Sequence, residues 1–182
     1  PVSLNSAVLS PDGAKLAYVA NRGGRTQFYL RPIDQMEAKP IPGTENAVGP
    51  VFSPDGQWLA FLQAQRWKKV ALSGGAPVTI CNAPPGAYFY AAWTPDDNLL
   101  FGVYPASVLQ VPASGGAPRP LFAADSGKGE RAYWHPHLLP GGKGVLFSIR
   151  TPEMDSYDDG AIALQPLPAG RRKILIEGGH KP

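Results

Sequence analysis

Four corners of closely similar sequence punctuate this chain: Ser10-Pro11-Asp12-Gly13, Ser53-Pro54-Asp55-Gly56, Thr94-Pro95-Asp96-Asp97 and Leu139-Pro140-Gly141-Gly142. Their prolines lie 43, 41 and 45 residues apart. A period of that length restricts the fold to an array of small supersecondary units, none of which can cover its own apolar surface. The repeated residues are turn chemistry. Proline sets φ to about −65° at the second position, aspartate bonds back to nearby backbone, and glycine accepts a positive φ at the exit.

Apolar runs flank every corner. In the second repeat Val51-Phe52 leads in and residues 58–62 lead out, a tight antiparallel hairpin. Residues 69–72 and 78–80 then flank Ser73-Gly74-Gly75-Ala76-Pro77, a second hairpin turned by a glycine pair. The first repeat gives strands near 5–9, 16–19, 28–30 and 40–41. The third gives 88–93, 99–101, 108–111 and 121–122, with Ser114-Gly115-Gly116-Ala117-Pro118 repeating the earlier turn. The fourth gives 133–134, 145–147, 162–164 and 174–176. No segment sustains a 3.6-residue apolar period, so no long helix is expected. Four short antiparallel strands per repeat describe the blade of a β-propeller. Blades stacked face to face also explain strands that are apolar on both sides. A two-layer sandwich has short strands too, but it would not repeat one corner four times at this period. The expectation is an all-β chain of about four four-stranded antiparallel blades, at roughly 4–42, 47–81, 88–123 and 131–177, within a single propeller domain over 1–182.

Composition agrees with that class. Hydrophobic residues make up 43% of the 182 and charged residues 17%; the 21 glycines and 21 prolines fall between the apolar runs, as turns should. The net charge of +3 is too small, and its lysines and arginines too scattered, to predict a nucleic-acid partner. Short basic runs such as Lys68-Lys69 and Arg171-Arg172-Lys173 read as solvated faces. Cys81 is the one cysteine, which excludes an intrachain disulfide. No apolar stretch reaches the roughly 18–20 residues of a bilayer-spanning helix. The chain starts at Pro1, so the N-terminus reads as trimmed and targeting information as lying outside it.

The corners and the strands after them resemble TolB-type propeller repeats, relatives of the WD-type repeats, from residue 9 to residue 179. A narrower likeness, carried by residues 10–34, 53–62, 68–84 and 167–182, is to propeller segments that follow the kinase domain in bacterial serine/threonine kinases, and to stand-alone TolB-like proteins. That resemblance implies a bacterial, extracytoplasmic or periplasmic binding module. Such relatives carry further repeats beyond the position of Gly178-Gly179, so the chain reads as a fragment of a larger propeller. Two departures stand out. Asp97 replaces the corner glycine of the third repeat, in a hairpin one residue shorter, and Gly141 replaces the aspartate of the fourth.

Catalytic sets are missing from the sequence. It has no glycine-rich phosphate loop and no His-Arg-Asp or Asp-Phe-Gly element, so kinase activity would belong to another part of a longer protein. It has no Gly-x-Ser-x-Gly elbow for a hydrolase either. His135-Pro136-His137 would put two imidazoles on one side of a strand, but no third or fourth metal ligand is identifiable. The stretch with Glu153, Asp155, Asp158 and Asp159 lacks the spacing of a calcium loop and reads as solvated. Asp12 and Asp55 read as local caps of their corners. No cofactor and no metal are expected.

Aromatic side chains crowd the leading strands of the third and fourth repeats. Most read as packing. Tyr88, Tyr90 and Tyr133 lie near strand starts, and in propellers the loops feeding the innermost strand rim the channel, a usual place for ligands. Arg131, Tyr133 and His135 would share one side of an extended strand, facing either the channel or a neighbouring blade. The rim is the reading adopted, with Tyr88, Tyr90, Arg131, Tyr133 and His135 as candidate contacts. The expected function is non-catalytic binding of a protein or peptide, as the sensor or scaffold part of a receptor-like kinase or as a stand-alone protein. The alternatives are a propeller gating a prolyl-oligopeptidase-like hydrolase, and a small-ligand or sugar binder using Trp93 and Trp134. Bare end blades would also favour association between copies of the chain.

Overall fold

The computed structural model describes residues 7–105, 107–125, 127, 129–152, 154, 156 and 159–179. They form sixteen strands in four separate antiparallel sheets, each built from consecutive strands. The first sheet holds β1 (Ala7–Leu9), β2 (Lys15–Arg22), β3 (Arg25–Pro32) and β4 (Lys39–Pro40). The second holds β5 (Val48–Phe52), β6 (Trp58–Gln63), β7 (Arg66–Ala71) and β8 (Val78–Asn82). The third is β9 (Ala87–Trp93), β10 (Asn98–Val103), β11 (Ser107–Pro112) and β12 (Arg119–Ala123). The fourth is β13 (Ala132–Leu138), β14 (Gly144–Arg150), β15 (Ala161–Pro166) and β16 (Lys173–Glu177). The all-β, four-blade expectation is met. Asn5 and Ser6, expected at the head of the first strand, lie outside the described residues. Among the described residues no helix is long and apolar enough to cross a membrane.

All four corners close in the same way although their sequences differ. The exit amide returns to the first corner residue: Gly13 to Ser10 and Gly56 to Ser53 at 2.8 Å, Asp97 to Thr94 and Gly142 to Leu139 at 3.0 Å. Each exit residue has a left-handed φ, +70° at Gly13, +66° at Gly56, +58° at Asp97 and +70° at Gly142. In the first two corners the serine hydroxyl donates to the aspartate and accepts the amide of Lys15 or Trp58 at 2.9 Å. The same carboxylates accept the amides of Ala14 and Gln57 at 3.0 Å. These bonds, the serine's first, hold both carboxyls below their ordinary pKa. The third corner is shorter: Thr94 pairs with Asn98, four residues on, where the others pair five residues on. Asp97 tolerates the glycine position because its carboxylate accepts the Trp93 indole N–H at 2.8 Å. The fourth corner is a 3-10 turn over Pro140–Gly142, with no side-chain cap and Gly141 also at positive φ.

The chain divides into two compact units, one comprising Pro1–Ala83 with Ser114–Gly116 and the other Pro84–Ala113 with Ala117–Pro182. Each has its own core, made where one sheet lies against the next. In the first unit Ala17 and Phe28 from the first sheet meet Phe52, Leu59, Phe61 and Val70 from the second. Phe28 and Phe61 stand edge to face, their centroids 5.7 Å apart. The second unit packs Leu100 and Val108 of the third sheet with Tyr133, Val145, Phe147, Ile149 and Ala163 of the fourth. Among the glycines, the tightest approach is at Gly102 on β10. A β-carbon there would sit 2.2 Å from the carbonyl oxygen of Tyr133 and 3.3 Å from the Tyr88 ring.

That contact predicts that Gly102→Ala destabilises the chain by about 1–3 kcal/mol or more, through overpacking alone, because Gly102 does not need a left-handed φ. Urea denaturation checks it, and an unchanged midpoint would contradict the close approach.

Candidate functional site

Two leading strands of the second unit are bulged, and the bulges bring aromatic side chains together. Opposite β10, Phe101 pairs with Ala91 and Val103 with Ala87, so Tyr88, Phe89 and Tyr90 all face the single residue Gly102. Opposite β14, Trp134 pairs with Ser148 and His137 with Leu146, which leaves His135-Pro136 against Phe147 alone. Proline fits a bulge because it has no ladder N–H to donate. The second sheet uses the same device at Gly49-Pro50, where Val48 pairs with Leu62 and Val51 with Ala60. Gly49 has φ +64° and His135 has φ +51°. Histidine therefore occupies a backbone position suited to glycine, at a cost of roughly 1–2 kcal/mol.

The rings gathered there are half-buried. Tyr90 and His135 have centroids 3.8 Å apart at 48°, and Phe89 and Tyr90 4.3 Å apart at 40°. Tyr88 meets Trp134 edge to face at 5.7 Å. The Arg150 guanidinium lies 5.6 Å from the Trp134 ring. Both ring nitrogens of His135 are shielded from solvent. Such a cluster offers flat apolar faces with a cation beside them.

Of the five residues expected to act together, the structure joins Tyr88, Tyr90 and His135 and separates the other two. Tyr133 is wholly buried in the core of the second unit, so the rim reading fails for it. Its hydroxyl lies between the Glu130 carboxylate and the Arg172 guanidinium, bonded to both. Glu130 Oε2 also accepts Arg172 Nη1 at 2.6 Å and the Asp125 amide at 2.7 Å, while Arg172 Nη2 donates to the Ala123 carbonyl at 2.9 Å. The guanidinium lies 4.9 Å from the Tyr133 ring and 5.4 Å from that of Phe147. Burial first, and then Glu130, push the Tyr133 hydroxyl well above the ordinary tyrosine pKa. Arg131 precedes β13 and is exposed; its amide extends the ladder to the Arg150 carbonyl at 2.8 Å. The shared-side expectation failed in two ways: the bulge at His135 breaks the two-residue alternation after Trp134, and Arg131 lies ahead of the strand.

Other candidates also find their places. Trp93 is buried and bonded to Asp97, so it offers no open face to a sugar. His137 is exposed while His135 turns inward, and His180 lies outside the described residues. Glu153, Asp155 and Asp158 fall outside them as well; the Asp159 carboxylate accepts the Ser156 amide at 2.7 Å. Among the described residues no three histidine, cysteine or acidic side chains converge as a metal site would need. Burial lifts the Cys81 thiol to a pKa of about 11, which makes it a poor nucleophile. Sequence reasoning missed Glu130, and Arg172, expected on a solvated face, is instead drawn into the ion pair with 16% of its side chain exposed. The available signal was an acidic residue just ahead of a leading strand, as Glu45 is ahead of β5. Glu45 plays a similar part in the first unit, where its carboxylate accepts Gln27 at 3.0 Å and the Gly43 amide at 3.2 Å.

Comparison with known proteins places this geometry. No family model matches the chain. An uncharacterized protein of Agrobacterium fabrum is 28% identical over 155 residues, covering 81% of this chain and 51% of that protein. A structure assigned as TolB from Agrobacterium tumefaciens superposes with a TM-score of 0.79 at 18% identity, over 98% of this chain and 69% of that one. TolB from Acinetobacter baumannii gives 0.76 at 21%, over 94% and 43%. The chain has the TolB-like β-propeller fold. It spans about half the length of the Agrobacterium fabrum relative. The same TolB-like fold also matches a puromycin-hydrolyzing peptidase of Mycobacterium tuberculosis, with a TM-score of 0.69 at 15% identity, over 91% of this chain and 31% of that one.

The buried ion pair makes its own prediction. The side chains of Arg172 and Glu130 are 16% and 4% exposed, so Glu130→Ala strands a guanidinium in the core of the second unit. The expected loss is about 3–5 kcal/mol in urea denaturation, partly recovered when both residues become methionine. A loss below about 1 kcal/mol would mean that the pair behaves as a solvated one.

Proposed function

We propose that this TolB-like propeller module is a non-catalytic binding element that takes an extended peptide segment of a partner protein against the Tyr88, Tyr90, Trp134 and His135 cluster. The observation that carries the reading is the Tyr90–His135 contact, which depends on a histidine held at a left-handed φ in a bulged strand. Strain retained in one backbone residue is the kind of feature that accompanies a working surface. Half-buried tyrosine and tryptophan with a neighbouring arginine are also the side chains that dominate protein-recognition hot spots. The sequence lacks kinase and hydrolase motifs, so any such chemistry would belong to polypeptide outside residues 1–182. An extracytoplasmic bacterial setting, and attachment to a receptor-like kinase, rest on the resemblance to TolB-type repeats. The likeness to a peptidase favours a second reading, in which the module gates access to a hydrolase domain.

A peptide array probed with the full chain, followed by titration of the strongest binder, tests the proposal. Tyr90→Ala should weaken that binder by about 2 kcal/mol, roughly thirty-fold. His135→Gly should weaken it as well while leaving the melting temperature unchanged or raised, because backbone strain is relieved. Unaltered affinity in both variants would overturn the site. Capture of a hydrolase domain in place of peptides would favour the gating reading.

A further inference from the structure

A cleft of about 440 Å³ lies within the second unit, between the third corner and the fourth sheet. It stands apart from the aromatic cluster, at the opposite end of β10. Its walls are Leu100, Leu121 and Leu138; its polar groups include Asp96, Asn98 and Gln110. We propose that this cleft is a second binding site, for a primary ammonium or guanidinium group carried on a short aliphatic stem.

Three observations lead there. First, the third corner turns its aspartate differently. The carboxylates of Asp12 and Asp55 are satisfied by the corner's own backbone amides, whereas Asp96 Oδ2 accepts the Asn98 side-chain amide at 2.8 Å beside the cleft. The Thr94 hydroxyl, with a smaller contribution from Asn98, holds this carboxyl below its ordinary pKa, so it stays ionised at neutral pH. Second, Gln110 lies across the strands from Leu100 on one side and Arg119 on the other, at a place held by Leu30 in the first sheet, Lys69 in the second and Leu164 in the fourth. Its side-chain amide makes no hydrogen bond among the described residues, and it lines the cleft. Third, the leucine walls match a methylene stem, which a cation on a flexible chain buries readily.

The charge sign follows from the lining. Asp96 is the ionised side chain among the lining residues, so an anion would meet repulsion and a neutral apolar ligand would desolvate a carboxylate without return. A cationic head can pair with Asp96, and the Gln110 carbonyl offers a second acceptor in the same cleft. The volume lies toward the small end of ligand clefts, about 300–1,000 Å³, which suits a single amine-bearing chain.

Titration of the full chain with cadaverine, followed by the side-chain amide resonances of Asn98 and Gln110 in two-dimensional NMR, tests this directly. Saturable shifts are expected with cadaverine and not with pentanol or hexanoate. Asp96→Asn should weaken binding about tenfold, the size of losing one charge-assisted contact. Gln110→Leu, which places there the leucine of the first and fourth sheets, should weaken binding by a few-fold to about tenfold with the fold intact. Tyr90→Ala should leave it unchanged, which separates this site from the peptide site. Short lysine and arginine peptides run in parallel: binding of both amine and peptide assigns the cleft to a partner's side chain, and binding of cadaverine alone to a free amine. Equal binding of pentanol, unaltered affinity in Asp96→Asn, or no saturable shift at millimolar cadaverine would overturn the proposal.

Discussion

Each sheet in this protein carries an apolar face that a neighbouring sheet covers, and a sheet of that kind has no stable existence by itself. The cores show the consequence. Phe28 of the first sheet is buried only because Phe61 of the second stands against it, and Leu100 of the third is covered by residues of the fourth. Stability therefore belongs to pairs of sheets, as nearest-neighbour terms in a repeat array.

Close stacking constrains the backbone more than the composition of the core does. Gly102 allows β10 to come against the Tyr133 carbonyl, and a side chain of any size would hold the sheets apart. The bulges follow from the same demand. A leading strand that must pass close to its neighbour gains local twist by inserting residues, at Gly49-Pro50 in one sheet and His135-Pro136 in another. Where the inserted residue is histidine, the strand acquires a ring stacked on Tyr90. The candidate site is thus a by-product of the architecture made specific by one residue. The corner variations act similarly: shortening the third hairpin moves Asp96 from a backbone cap to the edge of a cleft.

Most of the fold was legible because it is written in local chemistry. Pro-Asp-Gly corners need only their own few residues to turn, and strand runs of two to six residues in the sequence mark all sixteen strands. Even the altered third corner was readable as shorter, since Asp97 stands two residues before Leu99, where Gly13 and Gly56 stand three before Leu16 and Leu59. The candidate site was legible only in part. Tyr88, Tyr90 and His135 were visible as aromatic and imidazole groups on leading strands. The alternation of Tyr133 and His135 was misjudged, because a bulge depends on long-range register and leaves at most a proline as its local trace. Tyr133 looked like a rim residue because its partners, Glu130 and Arg172, are brought together by the fourth sheet from 42 residues apart in sequence. No local pattern reports such a pair.

The central claim is that two stacked sheets, rather than one, are the smallest cooperative element. Native-state hydrogen exchange of β10 and β14 amides across low urea concentrations tests it most directly. The account predicts that Leu100 and Phe147 converge on one opening free energy with one urea slope, because their sheets unfold together. Separate free energies with separate slopes, one sheet opening while the other stays protected, would contradict it.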